Sequence, residues 1–430
     1  AQHNAFNGTI TAAGSETISL TSAGTLTGFA DVESYNLSSA GANTFTLGAT
    51  GQNVTGGSAA DTVNMINGAT GSIDLQGGSN IINIANTFNI AGASVSATGG
   101  TYSLNFTDAT SSITVAALQL TGASDVTESS AGSKTVTVVG ALSGYTVDAQ
   151  IDIINLDNAV NSITLVNGTQ QVLGGSNSDT VTSSGGAINV NTAAGADTVN
   201  FTRDQLAAAT VDGGANTDTV VITAASTAIV DSDFTNFSNV EVLQLTGISR
   251  AVLGTEAKAA GFTTIVTGDG NTELTITDPG GGFPGTIDAS AMDAADTLTI
   301  HGTGAITINN LVAQLTSSAT GALTISTTAA ASQTLRFEAS PTGTLTLGGA
   351  ESIQLATGVD LSALTINGAG SYDLTLDTDA AVSMTVAQHN AATAINAAGT
   401  TNQITLTTAG SLTGNAAVEA YVLATAGGST

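Results

Sequence analysis

A glycine pair followed four residues later by Asp, Thr and an aliphatic residue recurs along the chain. It ends in Asp61, Asp179 and Asp218, and shorter forms without the pair end in Asp197 and Asp296. Glycines permit tight turns whose carbonyls point inward, and each Asp adds a carboxylate oxygen. Ca²⁺ takes about six to eight oxygen ligands, so two stacked turns must share one ion. The motif therefore predicts calcium sites at these five aspartates.

The alternative is structural, because Asp in a turn also accepts hydrogen bonds from nearby backbone N–H groups. Asp288, Asp293 and Asp296 form the tightest acidic cluster in the sequence, and calcium or plain solvation explains it better than acid–base chemistry. Both interpretations of the aspartates remain open at this point.

Periodicity places these turns between strands. Apolar and small polar residues alternate over four to seven positions and then break at Gly, Asn or Asp, as in Thr135–Val139, Ser162–Val166, Thr272–Ile276, Ala305–Ile308 and Gln403–Thr407. The pattern predicts an all-β protein, a β-solenoid or stacked β-rich repeats, with a string of β-sandwich domains as the alternative. Short helical turns are predicted at 203–209, 255–260 and 309–315.

The chain is also repetitive on a longer scale. Residues 1–37 recur from Ala387 with an offset of 386 residues, and residues 32–64 recur at 152–182 with an offset of 118. We predict β-rich modules at 1–140, 141–260 and 261–386, of which the second carries the Asp turns, and the start of the next repeat at 387–430. A tandemly repeated parent protein follows from this pattern.

The Asp turns resemble the nonapeptide calcium repeat, GGxGxDxUx, of RTX proteins that type I systems secrete. With the phrase Phe237-Ser-Asn-Val-Glu-Val-Leu-Gln-Leu245 and the Ala, Thr, Gly and Ser content, the chain is similar to bacterial surface-layer and giant adhesin proteins. The resemblance implies an extracellular, Ca²⁺-assisted β-rich assembly. It also implies that Asp179 and Asp197, two nonapeptides apart, share one edge of a β-roll. Ala59, Asn177 and Asn216 stand where RTX repeats have a third Gly.

The amino-acid composition disfavours several classes of binding partner. The net charge is −28, yet only 9% of the residues are charged and only five are Lys or Arg. Such a surface repels nucleic acid and anionic membranes. With no Cys there is neither a disulfide nor a zinc thiolate site, and no apolar run is long enough for a membrane span.

Catalysis has little support in the sequence. His3 and His389 occupy equivalent repeat positions and fit a repeated interface or turn better than a metal site or a base. Tyr35 and Tyr421 also recur, which favours a packing role over sugar stacking. His301 could act as a base, but no GxSxG nucleophile motif with a His and acid context is present. Thr-x-Thr patterns are also found in ice-binding proteins, where flat threonine ladders order water. Here the patterns have no constant spacing, and the β-propensity of Thr explains them. We therefore expect no enzyme.

These observations predict a self-assembling, calcium-stabilised building block of a bacterial extracellular surface layer or filament. The expected location is secreted, at the cell surface, and the expected partner is a further copy of the chain, with cell-surface polysaccharide as another. The alternative function is an adhesin stalk or a polysaccharide-binding or ligand-binding module. A clustered aromatic or acidic groove would favour this alternative, and featureless faces of small residues would favour the scaffold.

Overall fold

The protein is a parallel β-solenoid. A computed structural model describes residues 3, 14–186, 188–223, 228–277, 285–329 and 332–423. Within these residues the chain makes about 19 turns with about 7% helix. The solenoid prediction is thus confirmed, whereas the β-sandwich alternative is wrong, because sandwich sheets are antiparallel and the described ladders are parallel.

The strands are mostly three to six residues long. From the beginning of the described chain to residue 212 they are β1 Thr17–Ser19, β2 Thr25–Thr27, β3 Ser34–Asn36, β4 Thr44–Thr46, β5 Asn53–Thr55, β6 Thr62–Asn64, β7 Ser72–Asp74, β8 Ser79–Ile84, β9 Ser94–Ser96, β10 Thr101–Phe106, β11 Ser111–Ala116, β12 Asp125–Glu128, β13 Lys134–Val139, β14 Tyr145–Thr146, β15 Ile153–Asn155, β16 Ser162–Leu165, β17 Gln171–Leu173, β18 Thr180–Ser183, β19 Asn189–Asn191, β20 Thr198–Thr202 and β21 Thr210–Asp212. Beyond residue 212 they are β22 Thr219–Thr223, β23 Phe237–Ser238, β24 Val242–Thr246, β25 Arg250–Leu253, β26 Thr264–Thr267, β27 Thr272–Ile276, β28 Gly285–Asp288, β29 Thr297–Gly302, β30 Ile306–Leu311, β31 Gln314–Ser317, β32 Ala322–Thr327, β33 Thr334–Phe337, β34 Thr342–Leu347, β35 Ala350–Leu355, β36 Leu364–Gly368, β37 Ser371–Leu376, β38 Ala381–Met384, β39 Ile395–Ala397, β40 Gln403–Leu406 and β41 Ala420–Val422.

Helices in the described residues are short. They are α1 Ala117–Gly122, α2 Arg203–Leu206, α3 Thr255–Ala260 and α4 Val386–Ala391, with a 3₁₀ turn at Asp231–Phe234. The predictions at 203–209 and 255–260 are confirmed by α2 and α3. The prediction at 309–315 is wrong, because β30 continues to Leu311 and β31 begins at Gln314. Asn310, with a positive φ of 55°, lies within β30 where its pairing with β32 is irregular.

The chain divides into two compact units, Ala1–Val199 with Thr210–Asn216, and Asn200–Ala209 with Thr217–Thr430. In the first unit, alternate strands form ladders such as β1-β3-β5-β7-β9 and β2-β4-β6-β8-β10-β12. In the second unit the ladders include β25 to β39 in odd order and β22 to β36 in even order. Each coil thus supplies strands alternately to two sheets. The predicted module limits at 140, 260 and 386 stay a prediction, since the units group coils by packing and not by sequence period.

Coil length varies, whereas strand register is kept in most of the described ladders; it shifts between Ile308 and Leu311, where β30 pairs with β32. Register partners lie 17 residues apart between β1 and β3 and 26 residues apart between β27 and β29. The turns absorb the difference, so outward threonines still stack on successive strands of the second unit, at Thr264, Thr286, Thr307, Thr324, Thr344 and Thr365. Uneven spacing in the sequence therefore conceals an even ladder in space.

The core consists of the inward residues of each strand. In β10, for example, Tyr102, Leu104 and Phe106 are buried, while the residues between them face outward. Side chains of equivalent positions meet from coil to coil, as Leu104 does with Ile82 of β8. Burying such aliphatic side chains contributes about 1.5–3 kcal/mol each.

The 386-residue repeat is visible as equal strand register. Strand β1 pairs with β3 at Thr17 and Ser34, and β40 pairs with β41 at the corresponding Gln403 and Ala420. Among the first four residues that recur at 387–390, Ala1, Gln2 and Asn4 lie outside the described residues. His3 lies 3.3 Å from the Tyr35 hydroxyl and His389 lies 3.2 Å from that of Tyr421. The described parts of the two copies thus share this register and this His–Tyr contact, with which the predicted packing role of both tyrosines is consistent.

The glycine pair is required by the stacking of coils. A Cβ added to Gly56 would lie 2.4 Å from the Leu75 carbonyl oxygen of the following coil, and one added to Gly57 would lie 2.5 Å from that of Ser38 in the preceding coil. Gly174 and Gly175 meet the carbonyl oxygens of Thr192 and Asp157 in the same way, both at 2.3 Å. Each pair therefore lets the turn approach both of its neighbours.

We predict that Gly57→Ala destabilises the fold by about 1–3 kcal/mol, because the new methyl group overlaps backbone that cannot move aside alone. Gly51→Ala in the same region is the matched control, since no heavy atom lies within 4 Å of its added Cβ. Urea unfolding of both variants measures the difference. Equal midpoints for the two variants would contradict the stacking role.

Candidate functional site

Asp61 lies inside the solenoid and joins two coils. Its side chain is buried, and Oδ1 accepts hydrogen bonds from the backbone N–H and side-chain amide of Asn43, at 2.9 and 2.7 Å. Oδ2 accepts from the Gly57 N–H at 2.7 Å, within its own turn. The next coil continues the chain of contacts, because the Asp61 N–H donates to Asn80 Oδ1 at 2.8 Å. The second glycine of the motif is thus an N–H donor to the Asp four residues later.

Asp179 repeats this geometry at an offset of 118 residues. It accepts from the Asn161 N–H at 3.0 Å, from the Asn161 amide at 2.9 Å and from the Gly175 N–H at 3.1 Å. The internal repeat in the sequence is therefore a repeat of buried polar contacts.

Asp197 stacks directly on Asp179, since the Asp179 N–H donates to Asp197 Oδ1 at 2.6 Å. The resemblance to RTX repeats placed these two residues on one edge, and the structure brings them together. Burial raises the pKa of Asp197 above its ordinary value, and the hydrogen bond from the Asp179 N–H opposes this shift. Asp218 is likewise buried, and its N–H donates to Glu241 Oε2 at 2.9 Å.

Four of the five predicted calcium ligands, Asp61, Asp179, Asp197 and Asp218, are therefore buried. For Asp61 and Asp179, both carboxylate oxygens face N–H donors, which a cation would have to displace. This is the capping role that the sequence left open, and calcium at these aspartates stays a prediction.

Asp296 has different surroundings. Carboxylate oxygens of Asp269, Asp293 and Asp296 lie within 4.8 Å of one another, with the first two residues exposed. Asp296 Oδ2 accepts from the Asp293 N–H at 2.8 Å, which holds the turn closed. Asp269 takes the place that the sequence interpretation gave to Asp288. Three carboxylates supply part of the oxygen shell that Ca²⁺ requires, and their exposure leaves room for water ligands.

Buried glutamines form a second set of polar links that the sequence interpretation missed. The Gln52 amide donates to the carbonyl oxygens of Phe29 and Val32, at 2.6 and 2.8 Å, and Gln52 Oε1 accepts from the Gly48 N–H. Gln119, Gln170 and Gln388 make equivalent contacts to the preceding coil. The sequence indicated these glutamines only through the internal repeat, which aligns Gln52 with Gln170 at an offset of 118 residues.

Lys134 is a buried cation. Its Nζ donates to the carbonyl oxygens of Ala109, Ser130 and Gly132, at 2.7, 2.9 and 3.0 Å, and lies 2.9 Å from Glu128 Oε2. Inward carbonyls and one carboxylate are the donor types of a cation site, and here a tethered ammonium occupies them. Lys134 is thus both buried and paired with an acid.

The arginines are paired with acids, Arg203 in a largely buried pair and the other two in more exposed ones. Arg203 contacts Asp233, Arg250 contacts Glu273, and Arg336 forms two hydrogen bonds of 2.8 Å to Asp377. The hydrogen bonds from Arg336 lower the pKa of Asp377 below its ordinary value.

His301 is the nearest approach to a catalytic group. Its Nδ1 lies 2.5 Å from Ser318 Oγ and its Nε2 lies 3.7 Å from Glu273 Oε1. A nucleophilic serine also needs N–H donors for an oxyanion. The N–H groups of Ala319 and Thr320, beside this serine, already donate to Ser317 Oγ and to the Gly302 carbonyl oxygen. These two N–H groups are therefore already engaged within the fold.

We predict that Asp61→Asn lowers the free energy of unfolding by about 1–3 kcal/mol equally with and without Ca²⁺, because either orientation of the new amide directs its NH₂ at an N–H donor.

In contrast, the double variant Asp293→Asn, Asp296→Asn should abolish any rise in melting temperature caused by Ca²⁺. Exposed Asp31→Asn is the control, and differential scanning calorimetry is the measurement. Loss of the calcium effect in Asp61→Asn alone would place the ion in the glycine turns instead.

Comparison of the chain with protein-family models, with curated proteins and with solved structures finds no match, so its function has to be inferred from the residues described above.

Proposed function

We propose that the chain is a structural building block of an extracellular surface layer or filament. The observation that carries this proposal is the equal fold of residues near the two ends, at one register and an offset of 386 residues. A coil that recurs at the same strand register permits periodic assembly, and contacts between unlike ends of successive copies generate open filaments or lattices.

The mechanism of such a scaffold is mechanical. Parallel ladders and stacked aliphatic side chains resist extension along the coil axis, and the buried Asn, Asp and Gln side chains bind each coil to the next. Outward faces such as the threonine ladder defined above carry small, uncharged side chains. Featureless faces of this kind are what the scaffold hypothesis expects.

The proposed Ca²⁺ ligands are Asp269, Asp293 and Asp296. Bound Ca²⁺ would relieve repulsion among the three carboxylates and stabilise the folded chain through its binding free energy. Because the net charge is −28, bound Ca²⁺ would stabilise the folded chain most where the Ca²⁺ concentration is high. This supports a location outside the cell. Among the described residues, no helix has the length and apolarity to cross a bilayer.

A ligand-binding module is the second candidate, favoured by one feature. A groove of about 390 Å³ runs beside β25, β27 and β29, and its lining includes Arg250, Asn271 and Glu273. These polar groups could bind sugar hydroxyls, but the lining contains no aromatic ring for stacking. The scaffold therefore remains the preferred function.

We predict that the purified chain forms sheets or filaments in millimolar Ca²⁺ and dissociates in chelator, as seen by negative-stain electron microscopy. The Asp293→Asn, Asp296→Asn variant is the matched control and should stay dispersed in both buffers. Dispersed wild-type chain in both buffers, together with saturable binding to one polysaccharide that Arg250→Ala abolishes, would reject the scaffold in favour of the ligand-binding module.

A further inference from the structure

We infer that the buried side chains of Glu351 and Gln333, together with the Thr328 hydroxyl, form a binding site for a monovalent cation such as Na⁺ in the interior of the second unit. These three residues are called the corner site below. Their contribution is one carboxylate oxygen, one amide oxygen and one hydroxyl oxygen. The corner site shares no residue with the three aspartates proposed to bind Ca²⁺, and it does not depend on the scaffold function.

Only one of the two carboxylate oxygens of Glu351 is satisfied. The residue is 3% exposed, and its Oε1 accepts hydrogen bonds from the Thr327 hydroxyl at 2.5 Å and from the Gly349 N–H at 2.9 Å. Its Oε2 is shielded from solvent and has no hydrogen-bond partner within the described ranges. Of the Lys, Arg and His residues that the structure describes, none forms an ion pair with this carboxylate.

The carboxylate of Asp61 provides a contrast. Both of its oxygens face N–H donors, so the surrounding coils stabilise its negative charge. Glu351 combines a buried charge with a buried oxygen that accepts nothing, and this combination destabilises a folded chain unless a partner of opposite charge is present. Glu351 therefore requires a partner that Asp61 does not.

Gln333 supplies a second unpartnered oxygen on the adjacent coil. It lies in register with Glu351, because Thr334 pairs with Ser352 and the Ser352 N–H donates to the Gln333 carbonyl oxygen at 2.8 Å. Its side-chain NH₂ donates to the Leu311 carbonyl oxygen at 2.9 Å, but its Oε1 is buried and accepts no hydrogen bond from any described residue. The same oxygen accepts a backbone N–H in the other buried glutamines named above, Gln52, Gln119, Gln170 and Gln388.

Thr328 adds a third oxygen at the same corner. Its N–H donates at 3.2 Å to the Leu311 carbonyl oxygen, which also accepts from the Gln333 amide. The residue before it, Thr327, donates its hydroxyl to Glu351. The Thr328 Oγ1 is itself shielded from solvent and unpartnered in the described part of the chain. Carboxylate, amide and hydroxyl oxygens from two adjacent coils are hard ligands, of the kind that hard cations prefer.

Lys134 shows that the interior of this fold accommodates a positive charge at a comparable place. Its ammonium group is surrounded by three carbonyl oxygens and the Glu128 carboxylate. At the corner site, one negative charge is balanced by one monovalent cation, whereas Ca²⁺ would leave a surplus positive charge buried. A water molecule would satisfy the oxygens but would leave the charge of Glu351 unbalanced.

The test compares melting temperatures of the 430-residue chain in NaCl and in N-methyl-D-glucamine chloride, at equal ionic strength and with chelator in both buffers. Na⁺ should raise the melting temperature by about 2–4 °C, because it binds the folded chain and not the unfolded one. The organic cation is too large for a buried site and screens surface charge equally. Exposed Asp204→Asn is the matched control, which loses one carboxylate and should keep the full rise.

Two variants locate the effect. Glu351→Gln should abolish the rise, and in N-methyl-D-glucamine it should melt above the wild type, because its new amide can donate to the Gln333 Oε1. Gln333→Lys places an ammonium group beside Glu351 and should also abolish the rise, as a tethered cation replaces the free one.

Equal melting temperatures of the wild-type chain in the two buffers would overturn the inference, since the Glu351 Oε2 would then be met by water or by its own proton. A rise that persists in Glu351→Gln would also overturn it, because the cation would bind elsewhere. If Gln333→Lys does not fold, Glu351→Gln alone decides between these results. Chelator is present throughout, so the outcome is independent of the proposed Ca²⁺ ligands and of calcium-driven assembly.

Discussion

Every turn of this solenoid must satisfy its buried backbone groups from the coil beside it. Strands in a ladder are about 4.7–4.9 Å apart, which leaves no room for water between stacked turns. Asn43, Asp61 and Asn80 meet this requirement in one row, and Gln52 meets it across the neighbouring coil. Glycine pairs follow from the same spacing, because any Cβ at Gly56 or Gly57 would overlap a carbonyl group.

This constraint also separates structural aspartates from candidate calcium ligands. An Asp whose oxygens accept N–H groups on both sides, as Asp61 does, stabilises the turn without an ion. Asp296 instead lies close to two exposed carboxylates, and a bound cation would reduce the repulsion among the three.

Much of the fold could be predicted from the sequence, because alternation of apolar and polar residues directly reports the two faces of a strand. The parallel pairing that excludes a sandwich could not, since alternation is the same in both folds. The Gly-Gly-x-x-x-Asp spacing correctly marked a repeated polar contact, but not that Asp61 points inward to N–H donors. Asp269 was missed as a neighbour of Asp296 because the two lie on different coils. Thr264 and Thr286 align in space although unequal turns hide their register.

The most direct measurement of the central claim is residue-resolved hydrogen exchange of the N–H groups that donate to the buried aspartates. For Asn43 and Asn161, whose N–H groups donate to Asp61 and Asp179, the account predicts exchange as slow as that of the core residues Val63 and Ile163. All four should then open only when the unit unfolds. Exchange of Asn43 and Asn161 as fast as that of the exposed turn residue Thr169 would contradict it, because the turns would then open without the coils separating.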